Sequence, residues 1–161
     1  MNFRIGDPVV HWTYGIGQVI RREERAVSGV KTLYYAVKAG DLTIWVPADD
    51  KLEIRLRPPT PQNRFKHLLT ILSSPGEPLP DDSRERRLRI LELLKDGRAE
   101  TLCRAIRDLS AFQHVRPLND YDQSLMKRLQ ATLIGEWGFV LSVTPEHAAQ
   151  EMHRLLSSRT H

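Results

Sequence analysis

Arg57-Pro58-Pro59-Thr60-Pro61 divides this sequence into two parts with different hydrophobic patterns. A β-sheet that precedes the stretch has to end there, because three prolines in four positions cannot pair in a ladder. Thr60 is a suitable N-cap for a helix, and Pro61 suits the first helical position. We therefore predict a domain boundary at this point, with a β-domain over residues 1–57 and a helical domain over residues 58–161.

The first part consists of short β-branched and aromatic runs separated by glycines. The runs cover residues 9–12, 16–20, 32–37, 42–46 and 52–54. Closely spaced strands of this kind predict a small, strongly bent antiparallel sheet or barrel.

The second part has apolar residues at helical spacing and predicts about five helices. Asp82, Asn119 and Thr144 are the expected N-caps of the second, fourth and fifth helices. In the second helix, the apolar stripe Leu88, Leu91 and Leu94 is expected to face the core. The predicted fold class is α+β, a small β-barrel followed by an all-α domain.

The composition is that of a globular chain with a mild excess of positive charge. The 161 residues carry a net charge of +4, which favours nucleic acid or an acidic protein as a partner. No apolar run approaches the roughly 20 residues that span a bilayer, and the N-terminus lacks the pattern of a signal peptide. We expect a cytoplasmic protein without membrane contact.

Catalytic and metal-binding patterns are weak. Tyr14-Gly15-Ile16-Gly17 suggests a phosphate loop, but a strand follows it where such loops require a helix. His147 and Glu151 lie one helical turn apart without a third clustered ligand. We expect no enzymatic activity, no cofactor and no metal site.

Four arginines are concentrated at the start of the second predicted helix, namely Arg84, Arg86, Arg87 and Arg89. Cations at a helix N-terminus oppose the helix dipole and cost about 0.3–1 kcal/mol each when exposed. A helical wheel places Arg86 and Arg89 opposite Leu88 and Leu91. The cluster indicates either contacts with a phosphate backbone or a solvated face eased by a Glu85–Arg89 pair, and both interpretations remain open.

Trp45 is the second candidate functional residue. Strand alternation places Leu42, Ile44 and Val46 on one face, so that Trp45 shares the opposite face with Thr43. A tryptophan on the polar face of a small sheet is typical of a protein-binding anchor, although a second core face is the alternative.

These residues resemble the CarD-like (CdnL) bacterial transcription regulators, whose N-terminal module also occurs in transcription-repair coupling factors. The helical half resembles the family over residues 63–72, 90–97, 105–109 and 135–136. The β-half resembles it in Phe3, Ile5-Gly6-Asp7, Val9-Val10, Gly15-Ile16-Gly17-Gln18-Val19-Ile20, Gly29, Tyr34-Tyr35 and Leu42-Thr43-Ile44-Trp45-Val46-Pro47-Ala48. Each piece is short, and their order and spacing make the match specific.

The resemblance implies that the β-domain is Tudor-like and binds the β subunit of RNA polymerase by strand-edge pairing and a small patch of side chains. By position, the patch comprises Arg25, Val27 and Trp45. The family often has arginine where Trp45 stands, which implies that packing replaces an ionic contact here.

The resemblance also implies that the helical domain contacts promoter DNA near the upstream edge of the transcription bubble and modulates open-complex stability. The family wedges a tryptophan into the minor groove, and Ser83 occupies that position in this sequence. The implied DNA-binding residues are the cluster arginines with one addition, namely Arg84, Arg86, Arg87, Arg89 and Arg128.

The leading hypothesis is a non-enzymatic, monomeric regulator, cytoplasmic and associated with the nucleoid, that binds the polymerase β subunit and double-stranded promoter DNA. The alternative is an adaptor that keeps the polymerase contact while its helical domain, without the wedge, binds another protein. Salt-dependent DNA binding separates the two. An RNA-binding Tudor-like module is a third hypothesis, disfavoured because the β-half has no basic stripe interleaved with aromatics.

Overall fold

A computed structural model describes residues 2–158, except for the side chain of Val27. The chain divides into two compact units, Met1–Pro59 and Thr60–His161. A five-stranded antiparallel sheet followed by helices confirms the predicted α+β class and is consistent with a Tudor-like domain. No helix within residues 2–158 has both the length and the hydropathy needed to cross a membrane.

The first unit is a sheet with strand order β4-β3-β2-β1-β5. Its elements are β1 (Pro8–His11), β2 (Gly15–Val27), β3 (Val30–Ala39), β4 (Leu42–Pro47), the short helix α1 (Leu52–Arg55) and β5 (Leu56–Arg57). The predicted strand over residues 52–54 is therefore wrong. The Asp49 carboxylate accepts a hydrogen bond from the backbone N–H of Lys51 at 2.9 Å, and this turn leads into α1 before the fifth strand begins.

A β-bulge in β2 sets which side chains face the core. The pairing with β3 shifts between Val19 and Arg21, so Ile20 is an extra residue. Val19 is buried, whereas Arg21 lies opposite Ala36 on the other face. Without this extra residue, the alternation in the rest of β2 would be reversed relative to β3.

The core of the first unit confirms most of the predicted alternation in β4. Val46 is buried, and Ile44 packs against the same cluster. Leu42 was expected on this face but is 53% exposed, because it is the first residue of the strand after the turn at Gly40. The buried residues of this core cluster are Phe3, Val9, Val19, Tyr35, Val37, Val46, Leu52 and Leu56.

Residues 60–158 of the second unit contain five helices, as predicted. They are α2 (Gln62–Ser73), α3 (Ser83–Leu94), α4 (Ala99–Val115), α5 (Asp120–Leu141) and α6 (Pro145–Ser157). The side chains of Asp82, Asn119 and Thr144 each accept a backbone N–H three residues further on, which confirms these N-caps.

The start of α2 departs from the expected cap. Pro61 is the N-cap and makes no side-chain cap bond. Thr60 instead donates its backbone N–H and its hydroxyl to Glu136 Oε2, each at 2.8 Å. Glu136 on α5 is fully buried, so its carboxylate fixes the point where the second unit begins.

The inward face of α3 also differs from the prediction. Leu88 and Leu91 are 62% and 45% exposed, whereas Arg86 and Ile90 are buried. Leu94 packs against the core, as expected. The predicted leucine stripe is therefore wrong for two of its three members, because a buried ion pair of Arg86 determines how α3 rotates about its axis.

Candidate functional site

The sheet face opposite the core of the first unit carries Trp45 beside two arginines. The Arg25 guanidinium carbon lies 4.1 Å from the centre of the Trp45 ring and 5.4 Å from that of Tyr34. The guanidinium carbon of Arg21 lies 5.9 Å from the Trp45 ring. The structure therefore brings together Arg25 and Trp45, which lie on different strands and are 20 positions apart in the sequence. It combines basic and aromatic side chains on one face, which the sequence did not predict for this half of the chain.

Register explains this arrangement. Arg21, Ala36 and Trp45 are directly opposite one another on β2, β3 and β4. Residues opposite one another across strands project to the same face. Ala36 is nevertheless fully buried, which indicates that the larger neighbouring side chains cover it. A small residue on β3, between β2 and β4, thus leaves room for the indole and the two guanidinium groups.

The surface is ordered by weak contacts and remains open to solvent. Glu23 lies between the two arginines, 3.7 Å from Arg21 and 3.8 Å from Arg25, and all three side chains are at least 40% exposed. Exposed ion pairs contribute little, and exposed cation–π contacts contribute about 0.5–1 kcal/mol. These contacts therefore position the charged side chains while leaving them accessible to a partner.

β4 is an edge strand, and within residues 2–158 no strand pairs with its outer side. A free edge is a template for pairing with a strand of another chain. Trp45 projects from the strand that offers this edge. Val27, the third residue of the implied patch, ends β2 opposite Val30, and its side chain lies outside the described residues.

In the second unit, Arg86 does not belong to the surface on which the sequence placed it. It is 4% exposed, and its Nε and Nη2 each lie 2.8 Å from Asp122 Oδ2 on α5. Its Nη1 donates to the carbonyl oxygens of Pro80 and Asp81, and its guanidinium carbon lies 4.4 Å from the centre of the Phe112 ring. Arg86 is consequently a buried link between the start of α3 and α5, and the expected exposure of Arg86 is wrong.

The other cluster arginines are exposed. Arg84, Arg87 and Arg89 make no ion pair with an acidic side chain in the described part of the chain, so the predicted Glu85–Arg89 pair does not form there. Arg87 stacks on Tyr121 of α5, with its guanidinium carbon 3.7 Å from the ring centre.

Tyr121 connects the cluster with Arg128. Tyr121, Ser124, Leu125 and Arg128 line a shallow cavity of about 210 Å³ on α5. Arg87 therefore stacks on a tyrosine that lines the same cavity as Arg128. Tyr121 was not among the residues predicted from the sequence. Its only signal there is that an aromatic residue stands in the first turn of a helix, where capping does not require one.

The glycine motif near residue 15 has a structural explanation. Gly17 lies within β2, and a Cβ atom at this position would be 2.6 Å from the backbone oxygen of Lys38. The glycine permits close approach of β2 and β3, and the strand expected after this motif is β2. Next to it, burial lowers the pKa of His11, whose Nδ1 accepts hydrogen bonds from the backbone N–H groups of Thr13 and Tyr14.

The histidine pattern on α6 does not develop into a metal site. Glu151 accepts hydrogen bonds from Arg154, and these bonds lower the pKa of the carboxyl group. Within residues 2–158, no three His, Cys, Asp or Glu side chains are grouped closely enough to hold a metal ion.

Comparison with known proteins finds two similarities in sequence. Residues 3–58 match the CarD-like/TRCF RID domain. The chain is also 25% identical over 145 residues to "Putative transcription factor YdeB" of Bacillus subtilis (strain 168), an alignment that covers 88% of this chain and 94% of that protein. An alignment of this length includes parts of both units. The resemblance seen in the sequence is thus confirmed, and residues 3–58 of this chain are similar to the CarD-like/TRCF RID domain.

Proposed function

We propose that this protein is a non-enzymatic transcription regulator that binds the β subunit of RNA polymerase through its first unit and promoter DNA through its second. The name of its Bacillus subtilis relative as a transcription factor supports this class of function. The observation that carries the proposal is the contact between Arg25 and Trp45, both half-buried, on the sheet face opposite the core.

The polymerase contact would combine backbone pairing with one aromatic anchor. Strand addition at the edge of β4 supplies backbone hydrogen bonds, which give affinity without much sequence specificity. Specificity then comes from side chains, and tryptophan and arginine are the types most enriched at energetically important interface positions. Arg25 and Trp45 already contact each other, so little ordering is needed when the partner binds.

The DNA contact would rest on Arg84, Arg87, Arg89 and Arg128, with Arg86 left out. Exposed arginines without acidic partners suit phosphate oxygens, which position a protein on DNA without reading the sequence. Such binding is weak at physiological salt, but attachment to polymerase raises the local concentration of the helical unit beside the promoter. The proposed site of action is the upstream edge of the transcription bubble, in the cytoplasm at the nucleoid, where the contact would modulate open-complex stability.

The Trp45 contact can be tested by alanine substitution. We expect Trp45→Ala to weaken binding to the isolated polymerase β lobe by about 1–2 kcal/mol, roughly 5–30-fold, as measured by titration calorimetry. Trp12→Ala is the matched control, because Trp12 is a 58% exposed tryptophan in the same unit that does not contact Arg25. If both variants bind as the unchanged chain does, the proposed contact is wrong. If Trp45→Ala unfolds the unit, Trp45 is part of a core.

The DNA contact can be tested by its salt dependence. We expect the triple variant R84A/R87A/R89A to bind unrelated duplexes with similarly reduced affinity. The slope of log K against log salt should fall by roughly 1 for each arginine–phosphate interaction that the substitutions remove. The control R64A/K66A/R104A removes the same charge from exposed positions on α2 and α4. Equal effects of the two variants would indicate a nonspecific response to net charge and would reject this site.

A further inference from the structure

The outward face of α3 carries two leucines that neither the core nor a phosphate contact explains. Leu88 and Leu91 are 62% and 45% exposed and lie on the side opposite Arg86 and Ile90. At 3.6 residues per turn, Arg84, Leu88, Leu91 and Lys95 fall within about 60° of one another around the axis. We call these four residues the outward face of α3. The face consists of two adjacent leucines with a positively charged residue one helical turn away at each end.

The exposed pair Leu88 and Leu91 is informative because charged residues border it. A single exposed leucine is ordinary, but adjacent leucines bordered by charged residues are typical of an interaction surface. Contacts with phosphate oxygens use cations and hydrogen-bond donors, and a leucine supplies neither. The leucines therefore point to a ligand that has apolar groups of its own.

The charges next to the leucines define the ligand further. Arg84, Arg87 and Arg89 have no acidic partner within residues 2–158, whereas Lys95 pairs with Glu92. We infer that the outward face of α3 binds an acidic amphipathic helical segment of a partner protein. Two apolar residues three or four positions apart would cover Leu88 and Leu91. Aspartate or glutamate one turn beyond them would meet the arginines.

This inference goes beyond the proposed function and adds regulation to it. Arg84 and Arg87 belong both to the proposed DNA surface and to the surroundings of the leucines, so the acidic segment and DNA exclude each other. An anionic membrane fits less well, because interfacial helices need a large apolar face and α3 offers two leucines beside an exposed Glu92.

The test uses the full chain and a fluorescein-labelled helical peptide. The peptide has two leucines three positions apart and a glutamate one turn outside each, and a scrambled peptide of the same composition serves as control. We expect saturable binding of the patterned peptide by fluorescence anisotropy, and displacement by duplex DNA. The double variant L88A/L91A should weaken peptide binding about tenfold or more, because neither leucine side chain remains to pack against the peptide. Val115→Ala, at an 82% exposed position on α4, should not.

A charge exchange gives a second, independent readout. Arg84→Glu should weaken binding of the patterned peptide, and lysine in place of the nearer glutamate of the peptide should restore it.

Equal binding of the scrambled peptide, or unchanged binding by L88A/L91A, would overturn the inference. A reduction of duplex affinity in L88A/L91A equal to that in R84A/R87A/R89A would assign the leucines to DNA. Leucine-dependent binding to phosphatidylserine vesicles would assign them to a membrane. None of these outcomes depends on polymerase binding, so the proposed function is tested separately.

Discussion

Replacing Arg86 by alanine should lower the free energy of unfolding of the helical unit by about 3–5 kcal/mol, the loss typical when one partner of a buried ion pair is removed. The side chains of Arg86 and Asp122 are 5% and 3% exposed, so solvent would not compensate the carboxylate left behind. The carbonyl groups of Pro80 and Asp81 would also lose their donor. Urea unfolding followed by far-UV circular dichroism measures the change.

Arg84→Ala is the matched control for this experiment. Arg84 is exposed on the same helix, and its replacement should change the unfolding free energy by no more than about 0.5 kcal/mol. The double variant R86M/D122L should recover much of the stability that Arg86→Ala removes, because apolar side chains of similar size can replace a buried ion pair. Equal stabilities of the Arg86→Ala and Arg84→Ala variants would mean that Arg86 is solvated in solution.

Trp137→Ala is expected to cost about 3–5 kcal/mol of the same unfolding free energy, the range for removing a large buried aromatic side chain. Trp137 is 2% exposed on α5, and its ring centre lies 5.8 Å from that of Phe65 on α2. The substitution would leave a cavity between the two helices, which surrounding side chains fill only in part. Denaturant titration with the same signal measures the change.

Phe139→Ala provides the comparison within one helix. Phe139 lies two residues further along α5 and is 52% exposed, so its removal creates no cavity. We expect its effect to be within about 0.5 kcal/mol. A similar loss of stability in both variants would place Phe139 against a surface that is covered in solution, and a small loss in both would contradict the packing of Trp137 against Phe65.

Local signals in the sequence predicted the elements that depend on local physics. Asp82, Asn119 and Thr144 are N-caps because a short polar side chain satisfies a backbone donor within its own turn, whatever packs around it. The position of Trp45 on the face opposite Ile44 and Val46 follows from the two-residue period of a strand. These features could be predicted because they do not depend on residues that are distant in the sequence.

The orientation of α3 could not be predicted in this way. Its most apolar positions, Leu88 and Leu91, satisfy a helical period as well as Ile90 and Leu93 do. The choice between the two faces depends on Asp122, which lies 36 positions from Arg86 and offers it a buried partner. Tyr121 could not be predicted for the same reason, since its contact with Arg87 exists only once folding brings the starts of α3 and α5 together.

The bond between Thr60 and Glu136 has a consequence for the order in which the chain acquires structure during synthesis. The two residues are 76 positions apart, so α2 emerges from the ribosome well before the carboxylate that fixes its start. At roughly 5–20 residues per second, the delay is about 4–15 s. The first unit, whose strands all precede Thr60, can fold in this interval, while the start of α2 remains without its partner until α5 has been made.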